Sequence, residues 1–175
     1  MLGSGGFGVV TAAIRASDGH EVAIKTVHRD DPLSRARLMR EAEALSAIGP
    51  PYVPELYTTG ELPDGAPYLV MEKLTVPSLD SRLGDAMDRA ELITLANPLL
   101  TAAEATHKTG FVHRDLKPEN IFVSGSLFTA RLIDFGLAKS ATAWAEEAEE
   151  TMAGTLLGTP VYMSPEQCEG RPDVD

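Results

Sequence analysis

Four glycines crowd the six positions Gly3-Ser4-Gly5-Gly6-Phe7-Gly8, and Val9-Val10 follow at once. The pattern G-x-G-x-x-G-x-V lets a backbone approach phosphate oxygens closely and present bare amides to them. By itself it is equally compatible with the turn of a β-hairpin. Its surroundings exclude two other phosphate-binding folds. A dinucleotide-binding unit needs a strand before the glycines and a helix opening at the last one. Here the glycines lead instead into the β-rich run Val9-Val10-Thr11-Ala12-Ala13-Ile14. A Walker-type loop needs Gly-Lys-Ser/Thr, which the sequence does not contain.

Beyond that loop the chain is strand-rich at first and helical later. Residues 9–14 and 21–25 read as strands joined by the turn Ser17-Asp18-Gly19-His20. Asp31-Pro32 opens a helix running to about Ile48, with Leu38, Leu45 and Ile48 along one stripe. Tyr68-Leu69-Val70-Met71 is a further strand. After it, residues 88 to about 107 form an Ala- and Leu-rich helix containing Pro98. An interior proline costs about 3 kcal/mol, so a kink or helix boundary is expected there. Two short strands follow, around residues 121–123 and 131–133, and the acidic stretch 144–155 reads as a surface loop.

Composition narrows the partners. The 15 Lys and Arg against 26 Asp and Glu give a net charge of -11, a poor match for nucleic acid or an anionic membrane. The single cysteine, Cys168, excludes an internal disulfide or a cysteine zinc site. No apolar run reaches the ~18–20 residues of a membrane span. No basic segment followed by an apolar one marks a secretory leader at the amino end. A cytoplasmic protein with neither nucleic-acid nor membrane contact from this segment is expected.

The chemistry sits in four places. Lys25 ends the small apolar strand Val22-Ala23-Ile24-Lys25, where a cation can reach phosphates and needs a carboxylate to hold it. Glu41, three residues after Leu38 and four before Leu45, lies on the buried stripe of the next helix and fits that role better than Glu43. In Val112-His113-Arg114-Asp115-Leu116-Lys117-Pro118-Glu119-Asn120, Asp115 and Asn120 are five apart in a loop and can point to one place. The carboxylate can accept a proton, the amide oxygen can hold a cation, and Lys117 can neutralise a transferring phosphate. Asp134-Phe135-Gly136 offers a second hard oxygen ligand suited to magnesium.

In this order the motifs resemble the protein-kinase family, specifically the eukaryotic-type serine/threonine kinases of bacteria. The resemblance implies an α+β, two-lobed fold. Residues 1–71 would form a mainly β N-lobe with one helix, 72–74 the hinge, and 75–175 an incomplete, mainly α C-lobe. It also implies ATP and Mg2+ as cofactors, and proteins bearing Ser or Thr as substrates. Leu2, Gly3, Ser4, Gly5, Gly6, Phe7, Gly8 and Val10 would belong to the glycine-rich loop, with Lys25 anchoring phosphates and Glu41 as its partner. Asp115 would be the catalytic base, Lys117 the phosphate-neutralising lysine, and Asn120 and Asp134 the metal ligands. Met71 would be the gatekeeper, Glu72 and Leu74 would offer backbone bonds to adenine, and Val10, Ala23 and Phe122 would sandwich the base. Lys117 and Gly158-Thr159-Pro160 point to serine/threonine specificity. Arg114 implies a phosphorylatable activation segment, with Thr151 and Thr155 as candidate sites and Thr159 as a structural partner of Asp115 and Lys117.

The pattern departs from the family in places. Val76-Pro77-Ser78-Leu79 replaces glycines after the hinge, on the expected ribose side. Glu146, Glu147, Glu149 and Glu150 make the activation segment acidic. The motifs start inside the glycine loop and stop soon after Ser164-Pro165-Glu166, so a domain cut at both ends is expected, with little transfer by these residues alone. The competing function is a kinase-like module that binds nucleotide or partners without catalysis. Small-molecule phosphotransferases fit less well, because they lack the Gly-Thr-Pro…Ser-Pro-Glu segment.

Overall fold

The computed structural model describes residues 1–5, 8–27, 31–124, 129–140 and 159–169. Strands β1 (Gly3–Gly5), β2 (Gly8–Ile14) and β3 (Glu21–Val27) run antiparallel in succession. Helix α1 (Pro32–Ile48) follows, then β4 (Leu56–Glu61) and β5 (Pro67–Glu72), which complete a five-stranded antiparallel sheet of order β1-β2-β3-β5-β4. Register decides what this sheet presents. Val10 lies opposite Lys25, and Ala23 opposite Met71. Because side chains alternate along a strand, Val10, Ala23, Lys25 and Met71 share one face.

Helix α1 has the bounds its sequence signals foretell. The Asp31 side chain accepts from the Ser34 amide at 2.9 Å, Pro32 starts the first turn, and Gly49 at φ 68° closes it with a bond to the Leu45 carbonyl. Its buried residues are Leu38, Glu41, Ala42, Ala44 and Leu45. A carboxylate thus stands inside an otherwise apolar stripe.

The second part begins with α2 (Arg89–Lys108), capped by Asp88, which accepts from the Glu91 amide at 2.8 Å. No helix boundary occurs at Pro98: α2 runs unbroken through it, with the proline ring buried. Burial of that apolar ring offsets the lost backbone bond. Ala102 and Thr106 are buried on the side of α2 that meets the later strands, whereas Leu92, Ile93 and Leu100 are exposed. Strand β6 (Phe111–Val112) precedes the loop 113–120; β7 (Ile121–Ser124) and β8 (Thr129–Leu132) form a hairpin; β9 (Lys139–Ser140) pairs with β6. Helix α3 (Pro165–Cys168) ends the described chain. One apolar core containing Ala44, Leu45 and Val53 from the first part and Ala102, Phe111, Ile121, Leu132 and Phe135 from the second joins the two lobes. Among the described residues no helix is long and apolar enough to cross a membrane.

Candidate active site

Between the sheet and the loop 113–120 lies a cavity of about 480 Å³. Leu2, Gly3, Gly8, Val10 and Ala23 line its sheet side, Met71, Glu72 and Leu74 the end of β5 and the segment after it, and Phe122 of β7 a further wall. Ser4 and Gly5 belong to β1, while Gly6 and Phe7 lie outside the described residues. Gly8 is required by space: a Cβ there would stand 2.2 Å from the Thr26 carbonyl oxygen across the hairpin.

Lys25 projects into this cavity from β3 and is only 7 % exposed. Its Nζ donates to Glu41 at 2.5 Å and to Asp134 at 2.9 Å. Burial alone would lower the lysine's pKa, but the two carboxylates outweigh it and hold the ammonium above its usual range. Burial pushes the Glu41 carboxyl up, and Lys25 opposes that, so the glutamate depends on its partner for its charge. Burial would raise Asp134 as well, yet the Lys25 charge prevails and keeps it below the ordinary carboxylate range. Glu43, the alternative partner, is exposed on the far side of α1. Lys73 pairs with Glu21 at 2.8 Å, away from the cavity.

Asp115 is 7 % exposed and heavily bonded. Its Oδ2 lies 3.0 Å from Lys117 Nζ and accepts from Asn120 Nδ2 at 3.1 Å. The same Asn120 nitrogen donates to the Asp115 backbone carbonyl at 2.8 Å. With its nitrogen committed to two acceptors, Asn120 has its amide oxygen left for the cavity it lines. Thr159 faces the other carboxylate oxygen, Oδ1, with its amide at 3.3 Å and its hydroxyl at 3.5 Å, and Lys117 donates to that hydroxyl at 2.9 Å. Oδ1 therefore has only long contacts and keeps capacity to accept a proton.

Residue type and spacing assign His113 no role, but its position does. It is buried, and burial lowers its pKa, so the ring is neutral. Nε2 lies 2.9 Å from the Ile133 carbonyl, which can only accept, so Nε2 carries the proton. Nδ1 is then an acceptor and receives the Asp115 amide at 3.3 Å. The imidazole thus links the strand leading to Asp134 with the loop carrying Asp115. A further contact lies at the end of β5, where the Glu72 carboxylate pairs with Arg131 of β8 and the Glu72 amide donates to the Glu55 carbonyl at 2.8 Å. Any backbone bond Glu72 offers to a ligand must therefore come from its carbonyl. The segment after Leu74 is tied to β7 by a β-bridge between Ser78 and Phe122. Pro54, Glu119 and Ile133 complete the cavity wall. Thr151 and Thr155 lie outside the described residues, as do Glu146, Glu147, Glu149 and Glu150.

Asp134 and the Asn120 oxygen are hard donors of the kind a small divalent cation takes together with phosphate oxygens. Among the described residues no group of three or more His, Cys, Asp or Glu could hold a metal by itself. A cation here would need a nucleotide's phosphates to complete its shell, and the donor set fits that arrangement.

An antiparallel sheet over a cleft, a lysine caged by two carboxylates inside it and a bonded loop aspartate at its rim together define a kinase-like phosphotransferase fold. The chain belongs to the protein kinase family: it matches the protein kinase domain over residues 1–173. It is 36 % identical to serine/threonine-protein kinase Pkn1 of Myxococcus xanthus over 97 % of this chain and 25 % of that protein. To serine/threonine-protein kinase pkn2 of the same organism it is 41 % identical, over 97 % of this chain and 21 % of that protein. With the probable serine/threonine-protein kinase PknB of Corynebacterium glutamicum the identity is 33 %, over 98 % and 27 %. The chain thus spans about a quarter of the length of these curated relatives. Members of this family use ATP and a divalent cation.

Proposed function

We propose that this chain carries the catalytic apparatus of a protein serine/threonine kinase, transferring the γ-phosphoryl group of ATP to a Ser or Thr hydroxyl of a protein. The carrying observation is that Asp115, Lys117 and Thr159 form one bonded cluster beside the cavity that holds Lys25 and Asp134. The lobes would divide at residues 72–74, with adenine between Val10, Ala23 and Phe122, against Met71 and the backbone of Glu72 and Leu74. The glycine-rich stretch from Leu2 to Val10 would cover the phosphates.

In the reaction the substrate hydroxyl oxygen bonds to the γ-phosphorus, its proton passes to Asp115 Oδ1, and the bond from the γ-phosphorus to the leaving β-γ oxygen breaks. Lys25, held in place by Glu41, orients the nucleotide's phosphates, and Lys117 offsets charge on the transferring group. When bound, Mg2+ on Asn120 and Asp134 supplies charge neutralisation of the phosphates. Thr159, which also holds Lys117, fixes the hydroxyl-binding side for Ser and Thr. Thr151 and Thr155 are proposed as sites of activating phosphorylation. ATP as substrate and the free, exposed thiol of Cys168 fit a cytoplasmic protein. The acidic balance fits protein rather than nucleic-acid or membrane partners. No observation favours a nucleotide-binding module without transfer. The test is phosphorylation of a basic protein by the full chain carrying this domain, with MgATP. Asp115→Asn should abolish it, and substantial turnover in that variant would refute the assignment.

A further inference from the structure

The residue before the catalytic aspartate adopts an unusual backbone. Arg114 has φ 65°, in the left-handed region that a side chain with a Cβ seldom enters. The peptide unit joining it to Asp115 is gripped from both sides. Its amide, that of Asp115, donates to His113 Nδ1 at 3.3 Å. Its carbonyl, that of Arg114, accepts from Gln167 Nε2 at 2.7 Å, across 53 residues of chain. Gln167 also serves its own helix: its Oε1 accepts from the Ser164 amide at 3.1 Å while the Ser164 hydroxyl accepts from the Gln167 amide at 3.3 Å. That reciprocal capping box needs only an oxygen at Gln167, and Glu serves it as well as Gln. The nitrogen on the same side chain is therefore surplus to the cap, and it is spent on the catalytic loop.

We propose that Gln167 is a positioning residue for phosphoryl transfer, its side-chain amide holding the Arg114 carbonyl and so fixing the left-handed turn that aims Asp115. The inference rests on the kinase reading given above. Its physical content is that a strained peptide persists only where its surroundings over-determine it. Releasing the carbonyl lets the 114–115 peptide rotate, and Asp115 Oδ1 leaves its place opposite the substrate hydroxyl.

The experiment separates the two duties of the side chain. Gln167→Glu keeps the capping oxygen and removes the donor; Ser164→Ala removes the hydroxyl half of the cap and keeps the donor. Both are made in the full chain carrying this domain, with thermal unfolding and MgATP binding as checks that the variants fold. The expected result for Gln167→Glu is a kcat at least ~10-fold lower, since misplacing a reacting group by an ångström costs on the order of 100-fold. Its KM for ATP should stay within about twofold, because no nucleotide contact is lost. Amide hydrogen exchange at Asp115 should quicken in the same variant. Ser164→Ala should lower the unfolding temperature while keeping kcat and the Asp115 exchange rate near wild type. Equal kcat in Gln167→Glu and wild type overturns the inference, as does a loss in Ser164→Ala that matches it, because the cap would then explain both. If the wild type shows no Asp115-dependent transfer, the kinase reading falls instead. The hold of Gln167 on the loop is then judged by exchange alone, and unchanged exchange in Gln167→Glu overturns it.

Discussion

Replacing Lys25 with Met isolates the energetic centre of the cleft. The substitution keeps an unbranched chain of similar length and deletes the ammonium that Glu41 and Asp134 share. Their side chains are 4 % and 29 % exposed, so water can screen Asp134 but scarcely reaches Glu41. Removing one partner of a buried pair costs about 3–5 kcal/mol, nearly all of it here the isolated Glu41 carboxylate. The sign with pH follows. Burial already pushes the Glu41 carboxyl above its ordinary 4.5, and without Lys25 nothing opposes that push. A carboxyl whose folded pKa lies above its unfolded one contributes stability below the unfolded value and loses it as pH rises through the folded value. The deficit of Lys25→Met relative to wild type should therefore be small near pH 5 and grow to about 3 kcal/mol by pH 8. Urea unfolding of both proteins at the two pH values measures it. Adding Glu41→Leu removes the stranded charge, and the double variant should regain more than half of the loss. A deficit below about 1 kcal/mol at pH 8, or a double variant as unstable as the sum of its parts, would refute the reasoning.

Three further outcomes are expected. Asp115→Asn should lower kcat by roughly 100- to 10,000-fold, the range of a general base, and leave MgATP affinity within about twofold by calorimetry. Gly8→Ala, whose Cβ would meet the Thr26 carbonyl oxygen at 2.2 Å, should cost about 1–3 kcal/mol in thermal unfolding. Gly3→Ala, with nothing within 4 Å, should unfold like wild type; similar values for the two would disprove the close approach. Because burial depresses the pKa of His113, its contribution to stability is present above the ordinary 6.5 and is lost as pH falls below it. His113→Gln should flatten the slope of stability between pH 6.5 and 5, and an unchanged slope would exonerate this histidine.

Local signals carried most of the fold. The bounds of α1 were legible because Asp31, Pro32 and Gly49 each act on the backbone beside them. β4 was not legible, since a register shift between Leu56 and Thr58 breaks its period and none of its residues is fully buried. The two-residue pairing of β6 with β9 is too short to leave a pattern. At Pro98 the residue type leaves a kink or a boundary open, and the fold excludes the boundary by carrying α2 through a buried proline. In the site, Lys25, Glu41, Asp115, Lys117, Asn120 and Asp134 were readable from residue type and order. The contacts of His113 with Ile133, Glu72 with Arg131 and Gln167 with Arg114 were not. Each joins segments whose proximity is created by the fold alone.

The bond from Lys25 to Asp134 spans 109 residues, whereas the bond from Lys25 to Glu41 spans 16. Closing a long loop is entropically costly and slow compared with closing a short one. During synthesis every strand of the five-stranded sheet, and α1 with it, has been made by the time Glu72 is added. The lysine can then take its first carboxylate while more than half of the chain is still to come. Asp134 is translated some sixty residues later, on the order of several seconds at ordinary elongation rates. Until it arrives, the cleft has one wall and an ammonium already neutralised by Glu41. The second contact of Lys25 is therefore a late event on the ribosome, and the contacts of Thr159 with Asp115 and of Gln167 with Arg114 come later still, so the cleft is closed in order along the chain.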